Sequence, residues 1–159
     1  MGSQSKINLA YIAGFLDGDG SLMLQIKKRT DRKNQVRFMA TICFYQDTRH
    51  EAPLYWIRDV LGIGYISRRN DGMSELRING YQRVKEILKT LLPFIRFKRK
   101  QGIALLKAVE VLSKKKPKAF SRQNLGDLIG YILELQSENY VTRKKKTKSE
   151  LLKVLNLTP

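Results

Sequence analysis

A single cysteine, Cys43, and a single histidine, His50, set the first limits on this 159-residue chain. One thiol cannot close an internal disulfide, and one residue of each kind cannot build a cysteine-based zinc site or a two-histidine hydrolase centre. A reducing compartment fits this cysteine usage. Acids are also scarce: 14 Asp and Glu stand against 31 Lys and Arg, for a formal net charge of +17. That imbalance carries a self-repulsion that a polyanion relieves, so nucleic acid is the leading partner. No apolar run reaches the roughly 18 residues that cross a bilayer. No basic amphipathic helix with an aromatic face stands out, so no membrane is expected as partner. The first residues lack a secretory apolar core and an Arg-rich transit pattern. Met1-Gly2-Ser3 has Lys6 where a myristoylation start wants Ser or Thr.

What is present is enough to fold. Hydrophobic residues make up 42% of the chain, sufficient for one domain with a sizeable core. Ser5 is placed to cap a helix whose apolar positions Leu9, Ile12, Ala13 and Leu16 recur at helical spacing, and Gly18 and Gly20 are expected to end it. Two alternating runs follow. In Ser21–Arg29, Leu22, Leu24 and Ile26 share the core face. In Val36–Tyr45, the core face holds Val36, Phe38, Ala40, Ile42 and Phe44. A polar loop, Thr30–Gln35, joins them. Ala52–Leu61 reads as a helix. Gly64–Arg69 and Ser74–Asn79 read as a second hairpin around Asn70-Asp71-Gly72. Tyr81–Leu92 reads as a helix stopped by Pro93, with further helices over 101–113, 122–138 and Ser149–Leu157. This pattern predicts one α+β domain over 1–159, with helices on one face of an antiparallel sheet. Its core is expected at about 5–138, and a basic C-terminal segment at 139–159.

The other parity of the strands carries Gln25, Lys27, Arg29, Arg37, Arg69 and Arg77, with Arg32 and Lys33 in the connecting loop. Arg pairs bidentately with guanine and Gln with adenine, and a two-stranded ribbon fits the major groove. Lys and Arg also hold phosphates and set the register. A nine-residue strand spans roughly 30 Å, or about 9 base pairs of duplex. Further basic runs lie at Lys98–Lys100, Lys114–Lys118 and Arg143–Lys146.

The most informative stretch is Ile12-Ala13-Gly14-Phe15-Leu16-Asp17-Gly18-Asp19-Gly20. An apolar helix here delivers a carboxylate at its tip. Gly14 and Gly18, four apart, line one helix face and admit a close partner helix. The run resembles the signature of the LAGLIDADG homing endonucleases: Ala13, Gly14, Asp17, Asp19 and Gly20 match, and Ile12 and Leu16 are aliphatic swaps. The resemblance extends through both hairpins, Gly62-Ile63-Gly64-Tyr65, Leu92-Pro93-Phe94 and Lys98-Arg99-Lys100-Gln101, and weakens after about residue 113. A second run, Leu128–Glu134, resembles only the apolar half of the motif and reads as an ordinary packed helix.

That resemblance implies an αββαββα domain with a saddle-shaped antiparallel sheet and additional C-terminal helices. It implies a single-motif, homodimeric, Mg²⁺-dependent enzyme that binds a long pseudo-palindromic duplex and hydrolyses one phosphodiester on each strand, leaving short 3′ overhangs. Asp19 would be the metal ligand, with the Gly18 carbonyl as a second. Gln46, expected just after the second strand, would position water, and Lys98 would support charge at the cleavage centre. Arg49 and His50 compete for a further basic place. Ala13, Gly14, Asp17 and Gly18 would form the dimer contact, Asp17 in a structural role. The DNA-contacting set would be Gln25, Lys27, Arg29, Arg32, Lys33, Arg37, Met39, Cys43, Ser67, Arg69, Glu75, Arg77, Arg143 and Lys144. Relatives also include intron-RNA maturases and inactive DNA-binding regulators, so intron RNA is a further candidate partner. The group is intron-encoded, in chloroplasts or mitochondria, with a prokaryotic cytoplasm as the alternative.

Overall fold

Apolar residues every second position along four segments produce one antiparallel sheet with a single greasy face. The computed structural model describes residues 5–29, 36–139 and 143–157. Helix α1 (Lys6–Asp19) leads into β1 (Gly20–Lys28) and β2 (Val36–Asp47), followed by a short 3₁₀ turn, Thr48–His50. Helix α2 (Ala52–Leu61), β3 (Tyr65–Arg68), β4 (Met73–Asn79) and α3 (Tyr81–Leu91) repeat the helix–strand–strand pattern. Helices α4 (Arg99–Lys114), α5 (Arg122–Glu138) and α6 (Lys148–Val154) complete the chain. The sheet order is β1-β2-β4-β3, with every pair antiparallel.

Leu22, Leu24, Ile26, Ala40, Ile42, Phe44, Leu76 and Ile78 form the core face of the sheet. Helices α1, α3, α4 and α5 pack on that layer through Ile12, Leu16, Val84, Leu88, Leu105 and Ile129. Helix α5 buries Leu128, Ile129, Ile132 and Leu135, as expected of a plain packed helix. Among the described residues, Gln25, Lys27 and Arg37 on the opposite face are exposed.

Several boundaries differ from the periodicity reading. Helix α1 runs through Gly18 to Asp19 and stops only at Gly20, where a Cβ would sit 2.4 Å from Leu16 Cδ1 and 2.8 Å from the Leu16 backbone. Strand β2 continues to Asp47, so Gln46 lies within the ladder, opposite Ser74, rather than after it. Helix α3 ends at Leu91, one residue earlier than expected, with Leu92 as its cap. The last helix starts at Lys148, because Thr147 and Glu150 form a reciprocal capping box, and it closes at Val154. Gly64 precedes β3 with φ 110°, and a Cβ there would lie 2.7 Å from Leu76 Cδ1.

Candidate functional site

The two aspartates of the motif part company at the end of α1. Residues two apart on a helix point to different sides, and here one side is core. Asp17 is 8% exposed. Its Oδ2 accepts from Arg96 N at 2.6 Å and Phe97 N at 3.2 Å, and its Oδ1 accepts from Lys98 N at 3.0 Å. Those amides belong to the turn that leads into α4, so Asp17 fastens that turn to the end of α1. Asp19, by contrast, is exposed at the tip.

Lys98 answers in the other direction. Its Nζ donates to the Leu16 carbonyl at 3.0 Å and to the Asp17 carbonyl. The ammonium therefore sits on the carbonyl end of α1, where Leu16 O also accepts from Gly20 N. Burial pushes its pKa down, and the carboxylates of Asp17 and Asp19 oppose that push. Lys98 thus stands within the electrostatic reach of Asp19, with its position set by α1.

Gly20 pairs with Phe44, so β2 carries Gln46 past the tip of α1. The Gln46 Oε1 accepts from Asp47 N at 2.8 Å. Asp47 in turn grips Arg49 through the Arg49 backbone N–H at 2.9 Å, Nε at 3.0 Å and Nη2 at 2.8 Å. The guanidinium holds the Asp47 carboxyl well below the usual carboxylate range. Arg49 and His50 both sit on the exposed turn after β2, and of the two it is Arg49 that this carboxylate orients.

On that opposite sheet face, Lys27 pairs with Arg37 and Gln25 with Met39, and all but half-buried Met39 are exposed. Arg29, just beyond β1, is exposed too, as is Arg69 in an ion pair with Asp71 at 2.7 Å. Arg32 and Lys33 lie outside the described residues. Nearer the tip the face is a closed network rather than open side chains. Arg77 Nε lies 2.7 Å from Glu75 Oε1, and Ser67 Oγ donates to the same oxygen at 3.3 Å. The Cys43 thiol stands 3.9 Å from Glu75 Oε2. Cys43 is fully buried. The DNA contact expected at Cys43 thus falls on a thiol packed against this network. Burial pushes that thiol up to about 11. Glu75, 8% exposed, holds Arg77 rather than facing solvent.

Arg143 and Lys144 are exposed on the segment before α6. That segment is pinned to α5 by Gln136, which donates to the Lys146 carbonyl at 3.1 Å and accepts from Lys146 N at 2.9 Å. A cavity of about 370 Å³, lined among others by Gln25, Lys27, Gln136, Lys144 and Lys146, separates it from β1. The C-terminal cations are thereby placed alongside the strand bearing Gln25 and Lys27. Strand parity alone could have added Tyr65 to the face, since it shares the register row of Arg77. No local signal marks Asp47 or the Asp17–Lys98 exchange.

The exposed side of α1 completes the site. Ile7 is 80% and Tyr11 60% exposed, and a Cβ on Gly14 or Gly18 would meet nothing within 4 Å. Tyr11 meets Trp56 edge-on at 5.5 Å between centroids. Ala13 and Asp17, in contrast, are buried within this one chain. Ile7, Tyr11, Gly14 and Gly18 are exposed along the same helix. Among the described residues no three His, Cys, Asp or Glu side chains gather into a metal cluster. No helix there is long and apolar enough to cross a membrane.

The chain is thus an α+β domain with one helix-backed sheet, a basic open face and an acid-tipped first helix. The sequence profile of the LAGLIDADG endonucleases matches residues 12–102, and the chain belongs to that family. It is 38% identical to DNA endonuclease I-CvuI of Chlorella vulgaris over 109 residues, 67% of this chain and 66% of that protein. It is 33% identical to DNA endonuclease I-CreI of Chlamydomonas reinhardtii over 118 residues, 73% of this chain and 72% of that one. The crystal structure of I-CvuI with the I-CreI target in 2 mM Mg, its DNA not cleaved, superposes with a TM-score of 0.79 at 25% identity, covering 95% and 94% of the two chains. The archaeal intron-encoded I-Vdi141I, complexed with DNA, shares the fold with a TM-score of 0.78 at 21% identity, covering 94% and 95%.

Proposed function

We propose that this protein is a site-specific homing DNA endonuclease that acts as a homodimer with Mg²⁺. The reading rests on one observation above all. The exposed carboxylate of Asp19 stands at the end of an apolar helix face left open by Gly14 and Gly18, beside a basic sheet. A twofold pairing of α1 helices buries Ile7 and Tyr11 and brings two Asp19 carboxylates to a common axis. Each sheet then follows the major groove of one half-site, about 9 base pairs long.

The donor set suits Mg²⁺, a cation that takes one or two carboxylates, keeps several waters and fills its shell from phosphates. Asp19 offers one carboxylate per subunit and the Gly18 carbonyl a second oxygen. The metal, when bound, supplies charge stabilisation to the attacking and leaving oxygens of an in-line displacement. Gln46 orients water near the tip, Lys98 contributes positive charge from its seat on α1, and Arg49 is the basic side chain held ready by Asp47. One phosphodiester on each strand is hydrolysed, with short 3′ overhangs. The algal origin of I-CvuI and I-CreI supports action in a chloroplast or mitochondrion.

The test is incubation with a randomised duplex library in Mg²⁺ and in EDTA, followed by sequencing of cut ends and bound fragments. Defined double-strand cuts confined to Mg²⁺ are expected. Specific binding without cuts in either condition overturns the enzymatic reading.

A further inference from the structure

At the β3 edge of the open face, a cavity of about 170 Å³ is lined by Gly64, Tyr65, Arg77, Asn79 and Arg83 with the flanking Ile63 and Ile78. Liquid water occupies about 30 Å³ per molecule, so this notch has room for one phosphate group or several waters. Two guanidiniums border it and no acid does. Arg77 is already matched by Glu75, and its Nε is buried without an aligned hydrogen bond. Arg83 is exposed in the first turn of α3, with Cδ against Gly80. The cavity therefore carries a net positive charge.

A hydrogen-bond relay ends at the same place. Thr41 Oγ1 donates to Asn79 Oδ1 at 2.7 Å, and Asn79 Nδ2 donates to the Tyr65 hydroxyl oxygen at 3.1 Å. That oxygen accepts from Asn79, which leaves the phenolic O–H available to donate. Thr41, fully buried, anchors the relay in the sheet. Two guanidiniums and an O–H donor around one small cavity suit a tetrahedral oxyanion, whose oxygens accept several charge-assisted bonds at once.

We propose that this notch is a phosphate-binding site, with Arg83 and Tyr65 as its principal donors, and that it engages a backbone phosphate where the duplex passes the β3 edge. The assignment rests on the DNA-binding function proposed above and adds a contact that positions the duplex without reading its bases.

The experiment is a titration of a mixed-sequence duplex at several KCl concentrations in EDTA, comparing wild type with Arg83→Ala, Arg83→Lys and Tyr65→Phe. Losing one phosphate contact lowers the slope of log K against log salt by about 0.9, and Arg83→Ala is expected to show that drop. Its affinity is expected to fall roughly tenfold, equally for all sequences. Arg83→Lys should restore the slope, and Tyr65→Phe should weaken binding while leaving the slope alone. A wild type that binds duplex, with Arg83→Ala matching its slope and affinity, overturns the site and leaves the wider function standing. A wild type that binds no duplex overturns both. Arg83-dependent thermal stabilisation by inorganic phosphate with an unchanged DNA slope makes the notch a free-anion site and overturns the backbone assignment.

Discussion

Asp17 and Lys98 are bonded to each other twice, in opposite senses: the Lys98 backbone N–H donates to Asp17 Oδ1 at 3.0 Å, and Lys98 Nζ donates to the Asp17 carbonyl. Asp17 holds the turn before α4, and Lys98 binds carbonyls at the end of α1. The motif's first aspartate thus locks α1 against α4, and its second is left at the tip for chemistry. Asp17→Asn replaces one accepting oxygen by a donor and strands amides among Arg96, Phe97 and Lys98. Unfolding in urea is expected to show a loss of about 1–3 kcal/mol. A variant as stable as wild type would refute the role of Asp17 in fastening that turn.

Gly14 offers a sharper separation of fold from assembly. Nothing in this chain lies within 4 Å of a Cβ placed there. Replacing a mid-helix glycine by alanine adds up to about 1 kcal/mol to helix stability. Gly14→Leu is therefore expected to leave thermal unfolding of the subunit intact while sedimentation shows monomers in place of dimers. Unaltered dimers would place the subunit contact elsewhere.

Asp19 can be tested apart from binding. Asp19→Asn keeps the size of the side chain but removes its charge and one metal-binding oxygen. Cleavage in Mg²⁺ is expected to fall at least about a hundredfold, given the contribution typical of a group that stabilises transition-state charge. Duplex affinity in EDTA should stay within a few-fold of wild type. Full-rate cutting by this variant would remove Asp19 from the metal site.

Cys43 predicts an alkaline limit to stability. Burial raises its thiol from 9.0 to about 11, with Glu75 adding to the rise and Tyr45 and Arg77 opposing it. The folded chain then holds the proton more tightly than the unfolded chain. The associated stability is whole below pH 9.0 and is lost as pH rises through about 11. The size of the effect is on the order of 2 kcal/mol. Urea midpoints measured between neutral and strongly alkaline pH should fall in that window, and Cys43→Ala should flatten the fall. Tyr45, whose hydroxyl burial also raises, should retain a residual slope.

Much of this molecule was legible in one dimension because its forces are local. Alternation placed Leu22, Leu24 and Ile26 inward and Gln25 and Lys27 outward, and the structure agrees at each position. Ser5 caps α1 through Asn8 N at 3.2 Å, as its place before an apolar periodic run required. The motif residues identified the family without any coordinates. Parity, however, says only which face a side chain takes. It could not say that Cys43 and Glu75 are sealed into a network on the outward face, since that depends on β2, β3 and β4 standing side by side.

Charge, hydrophobic period and the acid-tipped motif were thus determined by the sequence itself, because each acts over a few neighbouring residues or over the chain's summed charge. The partition of Asp17 from Asp19, the seat of Lys98 and the union of Tyr65, Asn79 and Arg83 around one notch were decided only by tertiary structure. Those groups are separated by up to 81 residues along the chain, and only the packing of the elements brings Asp17 to Lys98 and Asn79 to Tyr65 within bonding distance and sets Arg83 beside the same notch.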